Sequence, residues 1–415
     1  MTLLPNIKYD FFSNSIASLL LPSNYQLMPN VDDLFELDFA LGEIGLLSPE
    51  EIIHRSAYIS KINGKETNHY KIGLATSMDI YSNKSIRTRS FFTKGRFSTG
   101  YAVHGLFPYR GKFHAQLIKG IINVIGIKPG DTLLDPMMGS GTACIEAQMM
   151  GINTIGYDMS PFCYLMASAK SFAISNKTNA LEKALNSIDG TVDSIERNRG
   201  SIDNRGSYHE GSGLVLLAYL DAMGYARRVI DKKIKDKFPE VLSRYINTIN
   251  HFWLIKNSLD LKIGNGVYGV GDARNLSLNI NTIDGVITSP PYSFAIDYIE
   301  NDLPQLEFLG VDIGELRKSL IGLRGGYNKQ NRIEIYLEDL NVLFSEMSRV
   351  LKFGKFFVII IGSNEIQTGG IRFEEKCIDF APKNGFELLK IIKKPIRGIQ
   401  NSMTEEYILF FKKIR

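Results

Sequence analysis

Residues 132–142, Thr-Leu-Leu-Asp-Pro-Met-Met-Gly-Ser-Gly-Thr, constrain the fold of this chain more than any other segment. They begin as a short apolar strand pattern that ends in the acid Asp135, and a helical pattern follows over residues 143–150. Between the two, Gly139 and Gly141 allow the backbone to approach a ligand closely and to adopt positive φ. The free amides at the start of the helix would face the same ligand. The segment therefore predicts a strand, a ligand-binding loop and a helix of an α/β fold.

A second strand pattern follows over residues 153–157 and ends in Asp158. Asp158 follows Asp135 by close to the ~20 residues at which a dinucleotide fold places its ribose-binding acid. The loop is neither Gly-x-Gly-x-x-Gly nor a phosphate loop with Gly-Lys-Ser/Thr. Because an acid stands where a phosphate binder would avoid one, the pattern favours a ligand with a positive amino group and a ribose.

Residues 288–292, Thr-Ser-Pro-Pro-Tyr, are the second informative segment. They follow the apolar run over 285–287, so we expect them where a buried strand emerges into a loop. Each proline fixes φ at about −65° and lacks a backbone donor, which leaves the carbonyls of Ser289 and Pro290 pointing outward. These carbonyls and the Ser289 hydroxyl can accept hydrogen bonds from an exocyclic amino group while Tyr292 stacks on its ring. The alternative is a plain Pro-Pro turn after a strand.

Together the two segments resemble the S-adenosylmethionine-dependent amino-methyltransferases of DNA. Residues 135–142 are similar to the cofactor motif of that family and residues 288–292 to its catalytic motif. The resemblance extends over residues 100–415 and implies a Rossmann-like α/β sheet, mostly parallel with an antiparallel last strand. Other segments that resemble elements of this fold are a helix over 338–351 and strands over 267–272, 355–361, 386–392 and 406–411.

The resemblance also implies roles for individual residues. The implied catalytic residues are Ser289, Pro290, Pro291 and Tyr292. Asp135 and the backbone around Gly139 would hold the methionine end of the cofactor. Asp158 would hold the ribose and Asp272 the adenine, with Tyr109 and His114 near the methionine carboxylate. The full implied cofactor set is Asp135, Pro136, Gly139, Ser140, Gly141, Thr142, Asp158, Asp272, Tyr109 and His114.

Several charged residues also have purely structural alternatives. Asp158 could cap the next helix, and Asp272 could cap the turn before Asn275. Asp297 and Tyr298 follow the catalytic motif and would either shape a base pocket or serve as a helix cap and a packed ring. Four cations flank a glycine-rich stretch that would either close on DNA or form a solvated turn, namely Arg317, Lys318, Arg324 and Lys329.

The length of 415 residues suits one large domain or two ordinary ones. We predict a catalytic domain from residues 101–173 and 266–415, preceded by a less regular N-terminal region over 1–100 that could contact DNA. Residues 174–265 separate the second strand from the third and exceed a usual connection. We expect a helical insertion there that either recognises the target or serves a structural or dimerising role.

A basic strip over residues 80–130 contains no Asp or Glu. Aromatic residues interleave with its cations at Phe91, Phe92, Phe97 and Tyr101. Such a strip favours binding to a phosphate backbone, although solvated lysines around a few core aromatics would give the same pattern. Its nine cations are Lys84, Arg87, Arg89, Lys94, Arg96, Arg110, Lys112, Lys119 and Lys128.

Other features of the composition narrow the class of protein. The three cysteines, Cys144, Cys163 and Cys377, form no disulfide framework and no metal-type spacing, which favours a reducing cytoplasm and predicts no metal. No apolar stretch reaches the ~20 residues of a membrane helix. The early run Ser-Leu-Leu-Leu lacks the basic flank of a signal peptide.

These features predict a site-specific methyltransferase that acts on double-stranded DNA. Ser before Pro-Pro-Tyr favours N4 of cytosine in the resembling families, whereas Asp or Asn favours N6 of adenine. The alternatives are an adenine-N6 enzyme, an RNA or tRNA guanine-N2 methyltransferase, a protein-glutamine methyltransferase and a DNA-binding module with a degenerate pocket. A restriction-modification setting would add a cognate restriction endonuclease as partner, and the sequence leaves the oligomeric state open.

Overall fold

The computed structural model describes residues 20–31, 33–77, 100–109, 112–200, 211–226, 233–291, 297–326, 328–363, 365–396 and 405–415. The chain separates into two compact units, one of residues 1–101 and 119–126, the other of residues 102–118 and 127–415. The second unit contains both predicted catalytic segments and the predicted insertion. No helix within the described ranges combines the length and the apolar character needed to cross a bilayer.

The first unit is more regular than its sequence suggests. It contains an antiparallel sheet in the order β1 (Tyr25–Leu27), β2 (Ile59–Ile62), β3 (Lys65–Glu66), together with the helices α1 (Leu34–Leu46), α2 (Pro49–Arg55) and α3 (Asn68–Ser77). The carboxylate of Glu43 is buried and accepts hydrogen bonds from the amides of Ala57 and Tyr58 and from the side chain of Asn123. These bonds tie α1 to the turn that precedes β2, and burial raises the pKa of Glu43 to about 7.

In the second unit, alternating strands and helices begin with a helix that continues into the first unit. In chain order these elements are α4 (Ala115–Val124), β4 (Thr132–Asp135), α5 (Thr142–Met149), β5 (Asn153–Asp158) and α6 (Pro161–Ser175). The predicted strand, loop and helix over 132–150 are confirmed, as is the strand that ends in Asp158. Ser160 caps α6, since its hydroxyl accepts a hydrogen bond from the amide of Cys163.

The described part of the chain between α6 and residue 265 is helical. It contains α7 (Ala180–Asn186), α8 (Ile188–Arg197), α9 (Ser212–Ala226) and α10 (Ile234–Ser258). Nearly every residue of α9 from Gly213 to Met223 is buried, because α9 packs against α10 on one side and against α6 on another. The insertion therefore belongs to the same compact unit as the sheet.

The remaining elements complete a seven-stranded sheet. They are β6 (Gly266–Val270), β7 (Ile283–Thr288), α11 (Tyr298–Phe308), α12 (Ile313–Ser319), α13 (Lys329–Val350), β8 (Leu351–Ile361), α14 (Glu365–Thr368), α15 (Phe373–Phe380), β9 (Phe386–Pro395) and β10 (Glu405–Lys413). The strand order is β6-β5-β4-β7-β8-β10-β9. Among the described strands of this sheet, β10 is reversed relative to the other six, so the predicted Rossmann-like sheet with an antiparallel last strand is confirmed.

The longest helix after β7, α13, packs against the core beneath this sheet. We predicted a helix over 338–351, but α13 already begins at Lys329, where Asn328 caps it through the amide of Asn331. On the buried face of α13, Phe344 meets Phe357 and Phe411 edge to face at 5.0 and 5.2 Å. Such aromatic pairs add to the stabilisation that burial alone provides.

The topology fixes where a ligand can bind. The chain leaves β4 toward β5 and β6 on one side and later returns to form β7 and β8 on the other. The order therefore reverses between β4 and β7, and ligands of open α/β sheets bind outside the carboxyl ends of strands at such a point. The glycine loop follows β4 and the Ser-Pro-Pro segment follows β7, so the two predicted motifs meet at this position.

Candidate active site

Two glycines in the loop after β4 adopt the left-handed conformation, with φ of 50° at Gly139 and 79° at Gly141. A Cβ on Gly141 would lie 2.8 Å from the Cβ of Ala167 on α6, so that position tolerates no side chain. Beneath the loop, the buried amine of Lys170 donates a hydrogen bond to the carbonyl of Ser140 at 2.9 Å. The loop is thus fixed by its backbone conformation, by close packing and by the buried amine of Lys170.

Asp135 lies at the end of β4 and is fully buried. Its Oδ1 accepts a hydrogen bond of 2.8 Å from the hydroxyl of Thr288, at the end of β7, and one of 3.2 Å from the amide of Met137. Its Oδ2 has no hydrogen-bond partner among the described residues. Burial raises the pKa of Asp135 to about 7, although both hydrogen bonds oppose the rise. The Thr288 bond joins the two sequence motifs directly.

Asp158, at the end of β5, supports the same loop from the other side. Its carboxylate accepts hydrogen bonds of 2.9 Å from the amide of Gly139 and from the amide of Ser160. The cap of α6 is Ser160 and not Asp158, so the structural alternative for this acid is only partly met. Burial raises the pKa of Asp158 above its ordinary value, although both amide bonds oppose the rise.

A cleft of about 820 Å³, counted with its solvent-open part, lies at the switch point between β4 and β7. It brings together nine of the residues singled out in the sequence, namely Tyr109, Gly139, Ser140, Thr142, Asp158, Ser289, Pro290, Pro291 and Tyr298. The predicted residues that do not line it are Asp135, Pro136, Gly141, His114 and Asp272. Tyr292 lies outside the described residues, so its predicted stacking role stays a prediction.

The rigid Ser-Pro-Pro segment emerges from β7 as the sequence predicts. Ile283 to Thr288 are all buried, whereas Ser289 and Pro291 are partly exposed toward the cleft. The hydroxyl of Tyr336 on α13 lies 3.4 Å from the carbonyl of Pro291, at the long end of hydrogen-bond distance. The segment is therefore held by a buried strand on one side and approached by a buried tyrosine on the other.

Of the two residues expected near the methionine carboxylate, Tyr109 lines the cleft and His114 does not. The hydroxyl of Tyr109 lines the cleft but donates a 3.1 Å hydrogen bond to Asp302. His114 does not line the cleft, and burial, with Lys394 and Lys112 nearby, lowers its pKa to about 4. His114 is therefore neutral at neutral pH and offers no positive charge to a carboxylate. Lys112 lines the cleft instead.

Asp302 on α11 is the site residue that sequence reasoning missed. It is 5% exposed and lines the cleft beside Asp158. Burial raises its pKa to about 7, with Asp158 adding to the rise. The available signal was an acid one helical turn beyond Tyr298, but the segment Glu-Asn-Asp looks like an ordinary solvated helix face.

Asp272 lies two residues beyond β6 and shows the turn geometry of its structural alternative. Its Oδ1 accepts a hydrogen bond from the amide of Arg274, and the Arg274 guanidinium binds both carboxylate oxygens at 2.7 to 3.1 Å. Burial would raise the pKa of Asp272, but the bonds to Arg274 outweigh it and hold the pKa below its usual value. Its predicted contact with adenine stays a prediction.

The residues after the catalytic motif are engaged in pairs within the second unit. Asp297 caps α11 through two backbone amides, as its structural alternative required, and also binds Arg317 at 2.7 Å. Lys318 pairs with Glu315 and Arg324 with Asp339. Lys329 is the first residue of α13. A role for this stretch in closing on DNA stays a prediction.

Most of the predicted basic strip cannot be placed. Nine of its residues lie outside the described ranges, namely Lys84, Arg87, Arg89, Phe91, Phe92, Lys94, Arg96, Phe97 and Arg110. Lys119 and Tyr101 are buried, so these two follow the core alternative rather than the phosphate-binding one. Lys128 is exposed.

The donor set of the cleft fits a cationic cofactor that carries a ribose. The acids Asp158 and Asp302 line the cleft, and neither is paired with a lysine or arginine of the described residues. Asp135, with an orphaned carboxylate oxygen, lies buried at the end of β4 outside the lining. Loop amides and small side chains surround the two lining acids. A positively charged sulfonium or ammonium group would compensate for their negative charge, whereas a triphosphate would be repelled by it.

Two family models match separate parts of the chain. Residues 106–208 match a model described as an RMKL-like methyltransferase domain. Residues 283–415 match the N6/N4 methyltransferase model, described as DNA methylase. The first match covers the glycine loop and the second begins with β7 and the Ser-Pro-Pro segment.

Three curated proteins illustrate the similarity. Type II methyltransferase M.BsoBI of Geobacillus stearothermophilus is 27% identical over 52% of this chain and 54% of its own. Type II methyltransferase M.MjaII of Methanocaldococcus jannaschii is 47% identical over 16% of this chain and 13% of its own. The tRNA (guanine(10)-N2)-dimethyltransferase of Methanothermobacter thermautotrophicus is 40% identical over 19% of this chain and 24% of its own.

The chain spans about half the length of the first of these relatives and less of the other two. The two matched segments lie in the order that the sheet topology requires, with the loop after β4 first and the segment after β7 second. With the cleft geometry, these matches support an S-adenosylmethionine-dependent amino-methyltransferase, with residues 283–415 similar to the DNA methylase family.

Proposed function

We propose that this protein methylates N4 of cytosine in double-stranded DNA at a specific short sequence. The observation that carries the proposal is the cleft in which Ser289 and Pro290 meet the glycine loop. The Thr288 to Asp135 hydrogen bond of 2.8 Å fixes the spacing between the amine-binding and the cofactor-binding segments. Such fixed spacing suits a transfer reaction whose barrier depends on alignment.

The chemistry asked of the residues is modest. The exocyclic amine of cytosine is a poor nucleophile because its lone pair is delocalised into the ring. Ser289 and the Pro290 carbonyl accept its two hydrogens and turn the lone pair toward the donor, while Tyr292 stacks on the ring. When bound, S-adenosylmethionine would supply an electrophilic methyl group, and the amine nitrogen would take this group as its bond to sulfur breaks. The released proton passes to Ser289 or to solvent.

Cytosine is proposed because Ser289 precedes Pro-Pro-Tyr, and a serine in that place favours N4 of cytosine in the resembling families. The amine of a paired base is inaccessible inside the duplex, so the base must be flipped into the cleft. Two of the relatives are named as type II methyltransferases. Their names support a restriction-modification setting, in which a cognate restriction endonuclease would be a partner of this protein.

The proposal is tested in DNA from a methylation-free host that expresses the chain. Nucleoside mass spectrometry identifies the modified base, and single-molecule sequencing gives its sequence context. We expect N4-methylcytosine at one short sequence. Ser289→Ala should reduce transfer about 100-fold or more because the amine loses an aligning acceptor, and its cofactor affinity should be unchanged. Ser277→Ala, an exposed serine outside the cleft, is the matched control.

Other outcomes would redirect the proposal. N6-methyladenine would keep the mechanism and replace the base. Full activity of Ser289→Ala would contradict the active-site assignment itself. A guanine-N2 methyltransferase of RNA is the second candidate, because a tRNA enzyme of that class is 40% identical over 82 residues. Unmodified DNA together with methylated RNA would favour it.

A further inference from the structure

A second buried acid faces the cofactor side of the cleft, and neither sequence motif contains it. Asp302 lies in the second turn of α11, and its residue is 5% exposed. Its two carboxylate oxygens accept hydrogen bonds from the Tyr109 hydroxyl at 3.1 Å and from the Asn301 amide group at 2.8 Å. Both donors are neutral, so they orient the carboxylate without neutralising it.

In the described part of the chain, the two acids that line the cleft lack the paired cation that a structural acid usually has. Asp158 and Asp302 both line it, and Asp158 contributes to the raised pKa of Asp302. Within the described residues, neither carboxylate is paired with a lysine or an arginine. Lys112 is the one cation among the described residues of the lining, and its amine donates to the carbonyl of His104. A buried carboxylate beside a partly buried one is costly without a cation unless a ligand supplies it.

Acids elsewhere in the same unit show the contrast. Asp297, the cap of α11, is paired with Arg317. The buried Asp339 is paired with Arg274 and Arg324. These two structural acids are therefore neutralised by arginines of the same unit. Asp302 departs from that pattern where the cleft opens, which indicates that its counter-charge comes from the ligand.

We propose that Asp302 binds a positively charged group of S-adenosylmethionine, either the ammonium or the sulfonium, and that Tyr109 holds the carboxylate in place. Tyr109 then acts through Asp302 rather than on the methionine carboxylate. The inference rests on cofactor binding in this cleft and is independent of which base or nucleic acid is methylated.

Isothermal titration of the full-length protein with three ligands tests the proposal. S-adenosylmethionine carries both cations, S-adenosylhomocysteine keeps only the ammonium, and 5′-methylthioadenosine carries neither. Asp302→Asn should weaken S-adenosylmethionine binding about 10- to 100-fold, because a charge-assisted contact is lost. Binding of 5′-methylthioadenosine should change by less than about twofold, because it has no cation for Asp302 to bind.

The pattern across the ligands identifies the group. Loss for S-adenosylmethionine and S-adenosylhomocysteine together assigns the ammonium, and loss for S-adenosylmethionine alone assigns the sulfonium. Equal weakening of all three ligands, or unchanged S-adenosylmethionine binding, would overturn the proposal. Asp312→Asn, an exposed acid that caps α12, is the control with the same change of charge.

A second variant keeps the test decisive if Asp302→Asn does not fold. Tyr109→Phe removes one donor and leaves the carboxylate in place. We expect the same ligand pattern with a smaller loss, about 3- to 10-fold, since one neutral hydrogen bond is removed. If Tyr109→Phe weakened all three ligands alike, the hydroxyl would act only on packing and the proposal would fail. Neither titration requires a nucleic acid, so failure of the proposed function leaves this result readable.

Discussion

Asp158 and Asp272 follow neighbouring strands of one sheet, β5 and β6, yet their surroundings are opposite. Asp158 lines the cleft, accepts hydrogen bonds from two backbone amides and from the Cys163 thiol, and has a pKa raised by burial. Asp272 does not line the cleft, and the guanidinium of Arg274 binds both of its oxygens, which lowers its pKa despite partial burial. An acid after a parallel strand is thus a ligand candidate only where the chain leaves it without a cation.

The pairing of Asp272 with Arg274 is part of a wider network that connects several elements of the second unit. Arg274 also binds Asp339 at 2.7 Å and the carbonyl of Ser319 at 2.9 Å. Asp339 is shared with Arg324 at the same distance. The network links the segment after β6 to α12 and α13. Asp272 therefore belongs to a structural network, whereas Asp158 belongs to the cofactor loop.

The largest effect that separates the two acids is expected at Asp158. Asp158→Ala removes a carboxylate from the cleft and the acceptor that holds the Gly139 amide. We expect S-adenosylmethionine affinity to fall about 100-fold, since a charged hydrogen-bonding group and a loop anchor are lost together. Isothermal titration measures it, with Asp131→Ala as an acid control outside the cleft. An affinity within about threefold of the parent would contradict the assignment.

A substitution at Lys170 tests whether the glycine loop also depends on the buried amine beneath it. Its amine is buried, and burial lowers its pKa to about 7, so the bond to the Ser140 carbonyl is made by a partly neutral donor at neutral pH. Lys170→Met keeps the volume and removes the donor. We expect a roughly 10-fold loss of cofactor affinity. Lys177→Met, an exposed lysine just beyond α6, should have no effect.

The contributions of Asp302 and Asp272 to stability should depend on pH with opposite signs, because the pKa is raised at Asp302 and lowered at Asp272. The pKa of Asp302 is raised to about 7, so its cost to the unliganded protein grows as pH rises from about 4 to about 7. Asp302→Asn should therefore raise the melting temperature by a few degrees at about pH 8 and by little at about pH 5.

Asp272 has the lowered pKa, so its stabilisation is present above its unfolded pKa and is lost as pH falls below it. Asp272→Asn should lower the melting temperature at about pH 8 and matter less in acid. Scanning fluorimetry of the unliganded protein across pH checks both signs. A destabilised Asp302→Asn protein at about pH 8 would show that this acid is structural after all.

The outcome for individual residues shows how far the sequence could predict the site. The positions of Gly139, Asp158 and Ser289 at the cleft were predictable because each stands at a strand end or in a loop whose pattern is local in the sequence, whereas Asp135 does not line the cleft and the roles of all four stay predictions. Asp302 was not, because its importance depends on Tyr109, which lies 193 positions away in the chain. The sheet order was predicted through the resemblance, since strand pairing depends on contacts that periodicity does not report.

The boundaries and pairings of charged residues were the weaker part. The first turn of α13 was missed because residues 329–332 are all polar, and the cap at Asn328 marks where the helix begins. The apolar spacing itself already extends back to Ile333 and Tyr336. The sequence does contain a signal for the neutralisation of Asp272, because an arginine two residues later can fold back onto an acid in a turn. Local spacing shows that the two groups can meet, and only the packing around Arg274 shows that they do.

The smallest effect, and the sharpest test of the contrast, is expected from Asp272→Asn on cofactor affinity. Asn keeps the turn with the Arg274 amide while removing the charge that the guanidinium already neutralises. We therefore expect S-adenosylmethionine affinity to change by less than about threefold. A loss of about 10-fold or more, read by titration and shared by 5′-methylthioadenosine, would mean that Asp272 contacts the adenine. In that case Arg274 would have to release the acid when the cofactor binds, and Arg274→Met would tighten binding. Unchanged binding in both variants would establish that a strand-terminal acid contributes to this cofactor site only where no arginine reaches it first.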